Sequence, residues 1–218
     1  MRWRWTAIGL ICILGSQLAN AQFISSFGVK GGVALSNQSY KITPINYLLD
    51  TDPILSPSLV FFAEAFQGDH FTLQTDFAFA CRGSSRTTES ITVDHQNSNQ
   101  LIVNEGDKVT SRHRYLAISP MLRARTNNGG VDAYALLGPR VDFLLYYSTD
   151  SDYPLEEQNN VILGFTMGVG VSFPMKQNVL FTEIQFQPDL SPLTNQEPLL
   201  VNNNSLVLTL GYRWKSKR

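Results

Sequence analysis

Residues 161–173 read VILGFTMGVGVSF, and this stretch decides the fold because large apolar side chains alternate with small or polar ones. The apolar set recurs at every second position, at Val161, Leu163, Phe165, Met167, Val169, Val171 and Phe173. A period of two is that of a β-strand, in which successive side chains point to opposite faces. The stretch is also longer than the roughly five or six residues of a typical globular strand. It therefore predicts a long strand with one apolar face.

The same alternation runs along the chain and predicts an all-β fold. Eight strands are predicted, at residues 24–35, 55–67, 70–82, 112–125, 131–146, 161–173, 178–187 and 205–214. Most of them reach the roughly 9–11 residues that a tilted strand needs to cross a bilayer. These lengths favour an eight-stranded antiparallel transmembrane up-and-down β-barrel.

The connections between the predicted strands alternate between short and long. The short ones are Gln67-Gly68-Asp69, Asn127-Asn128-Gly129-Gly130 and Pro174-Met175-Lys176-Gln177, and the long polar ones are 36–54, 83–111, 147–160 and 188–204. Short periplasmic turns and long external loops are typical of outer-membrane barrels, with both chain ends in the periplasm. Pro57, Pro120 and Pro139 interrupt predicted strands, and we expect Pro120 and Pro139 to share one β-bulge.

The polarity of the two strand faces separates a membrane barrel from a soluble one. In the third predicted strand, Phe71, Leu73, Phe77 and Phe79 lie on one face, opposite Thr72, Gln74, Asp76 and Arg82. The second face is too small and too charged for a solvated exterior, but it suits the interior of a narrow barrel. A soluble periplasmic ligand carrier is the alternative, and it requires the apolar faces to point inward.

The charges on the second faces are nearly balanced. They are Lys30, Arg82, Arg123, Arg140 and Arg213 against Glu64, Asp76, Asp142 and Glu183. Balance is needed in an interior, because an unpaired buried charge is costly whereas paired charges persist. The pattern predicts an ion-paired, plugged lumen. Tyr212 and Trp214, at the end of the last strand, are expected in an aromatic girdle at the periplasmic interface.

Residues 1–21 have the features of a secretory signal peptide. Arg2 and Arg4 precede the mostly apolar run 7–14, and Ala19-Asn20-Ala21 has the small-x-small form of a cleavage site. Residues 22–218 are then the barrel domain. Cleavage leaves 15 of the 17 basic residues beside 18 acidic ones. This balance gives no reason to expect nucleic-acid binding.

Cys81 is the single cysteine beyond the signal, so no intrachain disulfide is expected and the default is a reduced thiol. The four long loops hold three basic and twelve acidic residues. Asp150, Asp152, Glu156 and Glu157 are oxygen ligands of the kind that Ca²⁺ or Mg²⁺ prefers, although a solvated acidic surface is favoured.

Several segments resemble the small PorT-like outer-membrane β-barrel proteins of Bacteroidetes. These are Phe27–Ser36, Tyr115–Leu122, Leu136–Pro139 and Leu210–Trp214, while Ala117 and Ser119 depart from that family's pattern. The resemblance implies a bacterial outer-membrane barrel. The founding member is implicated in a secretion system for surface proteases and adhesins, a role that fold alone does not transfer.

One group of residues has the composition of a catalytic triad. Ser111 and His113, with Glu105 and Asp107 upstream, suggest a Ser/His/acid hydrolase at the outer rim, which requires Ser111 and His113 within hydrogen-bonding distance. His70 is expected at a solvated turn, and with His95 it gives no close histidine pair for a metal. We therefore predict a protein that is not an enzyme, without catalytic, cofactor-binding or metal-binding residues.

The predicted function is structural or interactive. A plugged barrel would contact outer-membrane lipids and lipopolysaccharide, and its external loops would meet a protein partner. Three alternatives remain open at this point: an accessory component of a secretion system, an outer-membrane lipid-modifying hydrolase, and the soluble ligand carrier.

Overall fold

The computed structural model describes residues 24–42, 47–49, 51–94, 100–126, 130–150, 158–176, 178–194 and 199–215. The predicted signal peptide, 1–21, and His95 lie outside the described residues. So do Asp152, Glu156 and Glu157, the acidic residues considered above as oxygen ligands.

The described residues form nine strands: β1 Ile24–Ile42, β2 Tyr47–Leu49, β3 Asp52–Ala65, β4 Phe71–Asp94, β5 Gln100–Arg125, β6 Asp132–Thr149, β7 Val161–Met175, β8 Asn178–Pro188 and β9 Leu199–Lys215. The eight long strands pair antiparallel with their chain neighbours, and β1 also pairs with β9, which closes the ring. The three-residue β2 pairs only with the end of β1, within the predicted first loop. The predicted eight-stranded antiparallel barrel is confirmed.

The ring is closed by a long β1–β9 ladder. Its register runs from Ser26 opposite Lys215 to Ile42 opposite Leu199. A closed ring satisfies the backbone N–H and C=O groups within the sheet, as the hydrocarbon core of a membrane demands. Two of the short turns contain non-glycine residues with positive φ, Phe66 at 50° and Lys176 at 43°. We call this end of the barrel the turn end, and the opposite end the loop end.

The predicted loop boundaries were wrong, because several strands continue far beyond their apolar segments. The β4–β5 ladder runs to Asp94 opposite Gln100, although 83–111 was predicted to be a loop. Within the described chain, β4 has no β3 partner beyond Ser85, and the β5–β6 ladder begins at Ser111. Residues 86–94 and 100–109 therefore form a two-stranded extension, which we call the ribbon. The backbone of the ribbon is paired although its sequence is polar. That sequence has no clear alternation from which the strands could be predicted.

The predicted bulge at the prolines was also wrong. Ile118 lies opposite Val141 and Leu122 opposite Leu137, so the register is the same on both sides of Pro120 and Pro139. Pro120 and Pro139 have no backbone N–H, so they leave a gap in the hydrogen-bonded ladder. A bulge would require an extra residue in one strand, and neither strand has one here. The shift in the β5–β6 register instead falls between Arg114 and Tyr115. In the β3–β4 ladder, a shift falls between Pro53 and Leu59, the segment that holds Pro57.

The apolar strand faces point outward, as predicted for a membrane barrel. Leu163 is 53% exposed and Leu210 60%, whereas their neighbours Ile162 and Thr209 are buried. This polarity is the opposite of what a soluble ligand carrier needs, so that alternative is wrong. The buried apolar residues form two small clusters inside the ring: Phe62, Met121, Tyr134, Leu136 and Phe181, and Tyr115, Ile162, Leu193 and Val201.

The charged lumen as the candidate functional site

Charged side chains occupy the barrel interior because the period-two pattern places alternate residues of every strand there. All nine charged residues predicted to face inward are buried. They meet in three layers, which we name the turn-end, central and loop-end layers.

Glu64 is the centre of the turn-end layer. Its carboxylate accepts hydrogen bonds from Arg123 Nη1 at 2.5 Å and from Arg213 Nη1 at 2.9 and 3.0 Å. Ser26 Oγ also donates to it, at 2.5 Å. Two guanidinium groups thus share one carboxylate that comes from a different strand, so this layer ties β3 to β5 and β9.

Lys30 is the centre of the central layer. Its ammonium group lies 2.6 Å from Asp76 Oδ2 and 2.7 Å from Glu183 Oε2. Gln74 donates to Asp76 at 2.9 Å, and Gln185 donates to Glu183 at 3.0 Å. One cation between two carboxylates is the reverse of the arrangement around Glu64, so the excess charges of these two layers cancel.

The loop-end layer contains Arg82, Arg140 and Asp142, together with a carboxylate that was missed from sequence. Arg140 Nε donates to Asp142 Oδ2 at 2.9 Å, and Arg82 Nη1 also bonds that oxygen. Asp189 pairs with Arg140, and it lies 3.7 Å from Arg82. Asp189 was assigned to an external loop, which was wrong. Asp189 continues the every-second-residue series of Glu183, Gln185 and Gln187, and this signal in the sequence could have placed it in the lumen. The structure extends that series, because the register of β8 continues to an isolated bridge between Asp189 and Gly164.

Two buried tyrosines contact the charged layers. The Arg123 guanidinium lies 3.7 Å from the centre of the Tyr134 ring, and Tyr134 donates its hydroxyl proton to Glu183 at 2.9 Å. Tyr134 thus links the turn-end and central layers. Arg82 lies 5.6 Å from the Tyr115 ring, near the loop end. A cation over an aromatic face is an attractive contact that is strengthened by burial.

A small enclosed cavity lies between the central and loop-end layers. It has a volume of about 20 Å³, and its lining includes Asp76, Arg82, Gln185 and Gln187 beside small alanine side chains. A cavity of this size is sufficient for roughly one water molecule. The side chains of the interior therefore leave little space between these two layers.

Ser111 and His113 do not form the bond that a hydrolase needs. Ser111 Oγ is 3.0 Å from Thr149 Oγ1, and His113 Nδ1 is 3.2 Å from Gln38 Nε2. His113 is fully buried and lies against the Tyr147 ring, with centroids 4.6 Å apart. It lies just beyond the membrane-spanning segment of β5, since its neighbours Arg112 and Arg114 are exposed. Burial lowers the pKa of His113 from 6.5 to about 4.

The remaining sequence predictions concern single residues. His70 is exposed at a turn, as predicted. Cys81 is a free thiol of intermediate exposure. Trp214 stacks on Phe27 at 5.6 Å and meets Tyr212 edge to face at 4.9 Å, at the turn end where the aromatic girdle was predicted. Among the described residues we find neither a metal-binding group of three or more His, Cys, Asp or Glu nor a helix that could span a membrane.

A closed ring with an apolar exterior and an ion-paired interior defines the class of bacterial outer-membrane β-barrel proteins. The chain belongs to the outer membrane protein beta-barrel domain family, whose model matches residues 19–195. The protein is therefore located in the bacterial outer membrane. No curated protein matches the chain.

Solved structures of small outer-membrane proteins are similar at low sequence identity. Ail, the attachment invasion locus protein of Yersinia pestis, is 16% identical, with 87% of this chain and 98% of that chain covered and a TM-score of 0.42. Neisserial surface protein A is 12% identical, with 87% and 97% covered and a TM-score of 0.49. OprG from Pseudomonas aeruginosa is 9% identical, with 90% and 98% covered and a TM-score of 0.49.

Proposed function

We propose that the protein is a plugged, non-transporting barrel that serves the envelope as a structural element and as a platform for loop-mediated interaction. The observation that carries this proposal is the lumen, where three ion-paired layers occupy the turn end, the middle and the loop end. A solute would have to separate buried ion pairs in each layer. Breaking one buried pair is costly, because it leaves a charge uncompensated in a region of low dielectric constant.

Conductance of the full chain in planar bilayers tests the plugged lumen. We expect no stable open level at neutral pH and moderate voltage. As a control, Lys30→Ala removes the central cation and its side-chain volume, and it should be more prone to brief openings than the native chain. A steady open conductance of the native protein would refute the plugged barrel.

The ribbon supports the interaction part of the proposal. Its ladder runs from Arg86 opposite Val109 to Asp94 opposite Gln100, which projects about 30 Å beyond the β3 and β6 partners at roughly 3.3 Å per residue. An isolated pair of strands is marginally stable in water and offers free strand edges, which are the usual template for strand addition by a partner. The ribbon is thus the proposed meeting point with a protein partner, while lipopolysaccharide would contact the outer part of the apolar wall.

Deletion of the gene, followed by complementation, tests the structural and interactive roles together. We expect increased envelope sensitivity to detergents and unchanged release of secreted surface proteins. If the role is structural, a chain without its ribbon should restore the detergent resistance of the envelope. If the ribbon binds a partner, only the full chain should restore it. Loss of secreted surface proteins on deletion would instead favour the secretion role that the PorT-like resemblance implies.

We also propose that the protein is not an enzyme. The separate hydrogen bonds of Ser111 to Thr149 and of His113 to Gln38 support this view, because a nucleophilic serine needs a base beside it. Comparison of lipid A from cells with the native chain and with Ser111→Ala tests it, and we expect identical acylation.

A further inference from the structure

The outward face of β5 changes from apolar to cationic in a single step near the loop end. Leu116 lies opposite Phe79 on β4 and Phe143 on β6, so an apolar row crosses three strands on the outside of the barrel. The next two outward-facing residues of β5 are Arg114 and Arg112, which are both exposed and alternate with buried residues. Two cations thus stand directly above the apolar row.

These two arginines mark the external boundary of the membrane. From Leu116 to Ala124, the outward-facing residues of β5 are uncharged, and a tilted strand of about this length crosses the hydrocarbon core. Ala124 lies at the turn end, so the other limit of the apolar wall is at Leu116. Because the long loops of such barrels are external, Arg114 and Arg112 lie at the level of the external headgroups.

Both guanidinium groups are available to a ligand. Among the described residues, none of the ion pairs involves Arg112 or Arg114, whereas the arginines of the lumen are all paired. The planar donors of a guanidinium group match the oxygens of a phosphate, and such charge-assisted bonds are strong. Two exposed, unpaired arginines on one face are therefore suited to an anionic headgroup.

A β-bulge places an aromatic ring beside Arg114. The register shift in the β5–β6 ladder adds Leu145 to β6, next to Tyr146, which lies opposite Arg114. The extra residue reverses the parity of the strand, so Tyr146 is 56% exposed on the outer wall and Tyr147 contacts the buried His113. The Arg114 guanidinium lies 5.5 Å from the centre of the Tyr146 ring. Bulges often re-aim a side chain at a functional site, and here the ring holds the cation on the outward face.

We propose that Arg112, Arg114 and Tyr146 bind a phosphate group of lipid A, the membrane anchor of lipopolysaccharide. The ligand combines an anion with acyl chains, because the two cations adjoin the apolar row. Arg112 and Arg114 are two residues apart, or roughly 7 Å at about 3.3 Å per residue, so both can reach one phosphate. This site rests on the proposed contact between the outer wall and lipopolysaccharide, and it gives that contact its residues.

The charge of the ligand distinguishes lipid A from the phospholipids of the envelope. Its phosphates are monoesters, which carry about −1.5 to −2 charges at neutral pH. Phosphatidylglycerol is a diester with a single negative charge. Two adjacent guanidinium groups therefore favour lipid A.

Native mass spectrometry of the full chain, in mild detergent with EDTA, tests the site. The probes are phosphorylated lipid A, the same lipid A without its phosphates, and phosphatidylglycerol. We expect the native chain to retain one phosphorylated lipid A in preference to the other two probes. Arg114→Gln should reduce this retention about fivefold, and Arg112→Gln with Arg114→Gln roughly thirtyfold, since each basic residue contributes separately at a membrane surface. Lys176→Gln is the matched control, because it removes the same charge from an exposed residue at the turn end.

Tyr146→Leu tests the positioning of Arg114. It keeps an apolar side chain on the outer wall but removes the ring face, so retention should fall about two- to fivefold. Because the ring acts through Arg114, Tyr146→Leu should have no further effect in the Arg114→Gln chain. Heat-dependent gel mobility shows that each variant is folded.

Four results would overturn the lipid A site. They are equal retention of lipid A with and without its phosphates, equal retention of phosphatidylglycerol, unchanged retention in the folded double arginine variant, and an equal loss in Lys176→Gln. Retention that requires a divalent cation would do so as well, because acidic loop residues would then hold the phosphate through the metal. Conductance in planar bilayers reports on the lumen separately, so failure of this site and failure of the plugged barrel are distinguishable.

Discussion

Strands β4 and β5 contribute to both the lumen and the ribbon, yet these two regions have opposite characters. Inside the barrel, Arg82 and Arg123 are fixed by carboxylates from other strands. In the ribbon, the two strands pair within the described chain only with each other. The difference shows what the alternation of the sequence does. It specifies the barrel, where two environments, lipid and lumen, select opposite faces, whereas the ribbon pairs without a clear alternation.

The comparison is tested most strongly at Glu64. Glu64→Ala leaves Arg123 and Arg213 buried without their shared carboxylate, and removing one partner of a buried ionic group costs roughly 3–5 kcal/mol. We expect this loss in the free energy of unfolding, measured by urea titration with Trp214 fluorescence in lipid vesicles. Glu64→Gln keeps an acceptor oxygen, so its free energy of unfolding should fall by less. Equal stability of Glu64→Ala and the native chain would contradict the structural role of the turn-end layer.

His113 supplies a pH test at the border between lumen and ribbon. Because burial lowers its pKa from 6.5 to about 4, the unfolded chain takes up a proton in this window and the folded chain does not. Stability should therefore fall as the pH is lowered from 6.5 to about 4, by up to about 3 kcal/mol.

His113→Phe should remove this part of the pH dependence. The measurement is the difference in unfolding free energy between variant and native chain at each pH. His70→Asn, which changes an exposed turn histidine, is the control and should leave the dependence intact. Parallel pH profiles for the native chain and His113→Phe would refute the prediction.

Two adjacent glycines of β1 sharpen the contrast between the two faces. A Cβ on Gly32 would lie 1.9 Å from the Leu208 carbonyl oxygen, whereas one on Gly31 meets nothing within 4 Å. Gly32→Ala should therefore cost roughly 1–3 kcal/mol, as overpacking usually does. Gly31→Ala should be close to neutral in the same urea titration. A larger loss for Gly31→Ala would show that the two faces had been assigned the wrong way round.

Removal of the ribbon should have the smallest effect on the barrel. Replacement of residues 88–107 by Asn-Gly joins Thr87 to Lys108, which are register partners, through a two-residue turn. We expect the unfolding free energy to change by no more than about 0.5 kcal/mol. A large loss would mean that the ribbon is part of the folding unit.

The sequence predicted the ring and its charged interior well, since both depend on the alternation. Phe77 and Asp76 are adjacent, and the structure places one outward and the other in the central layer. Features without a local signal were missed. The ends of β4 and β5 depend on backbone pairing alone, and Asp189 was assigned to a loop because the predicted strand ended at residue 187. How Glu64 is shared between Arg123 and Arg213 depends on three strands meeting, which no single segment encodes.

The β1–β9 ladder also governs the time course of folding. Ser26 and Lys215 are register partners although nearly the whole domain separates them in sequence. Contacts between such distant residues form slowly, because the loop that they close has a large entropic cost. The ring is complete only when β9, its last strand in chain order, pairs with β1. Until it arrives, β1 has a free edge, and the chain must be kept from aggregating on its way to the membrane.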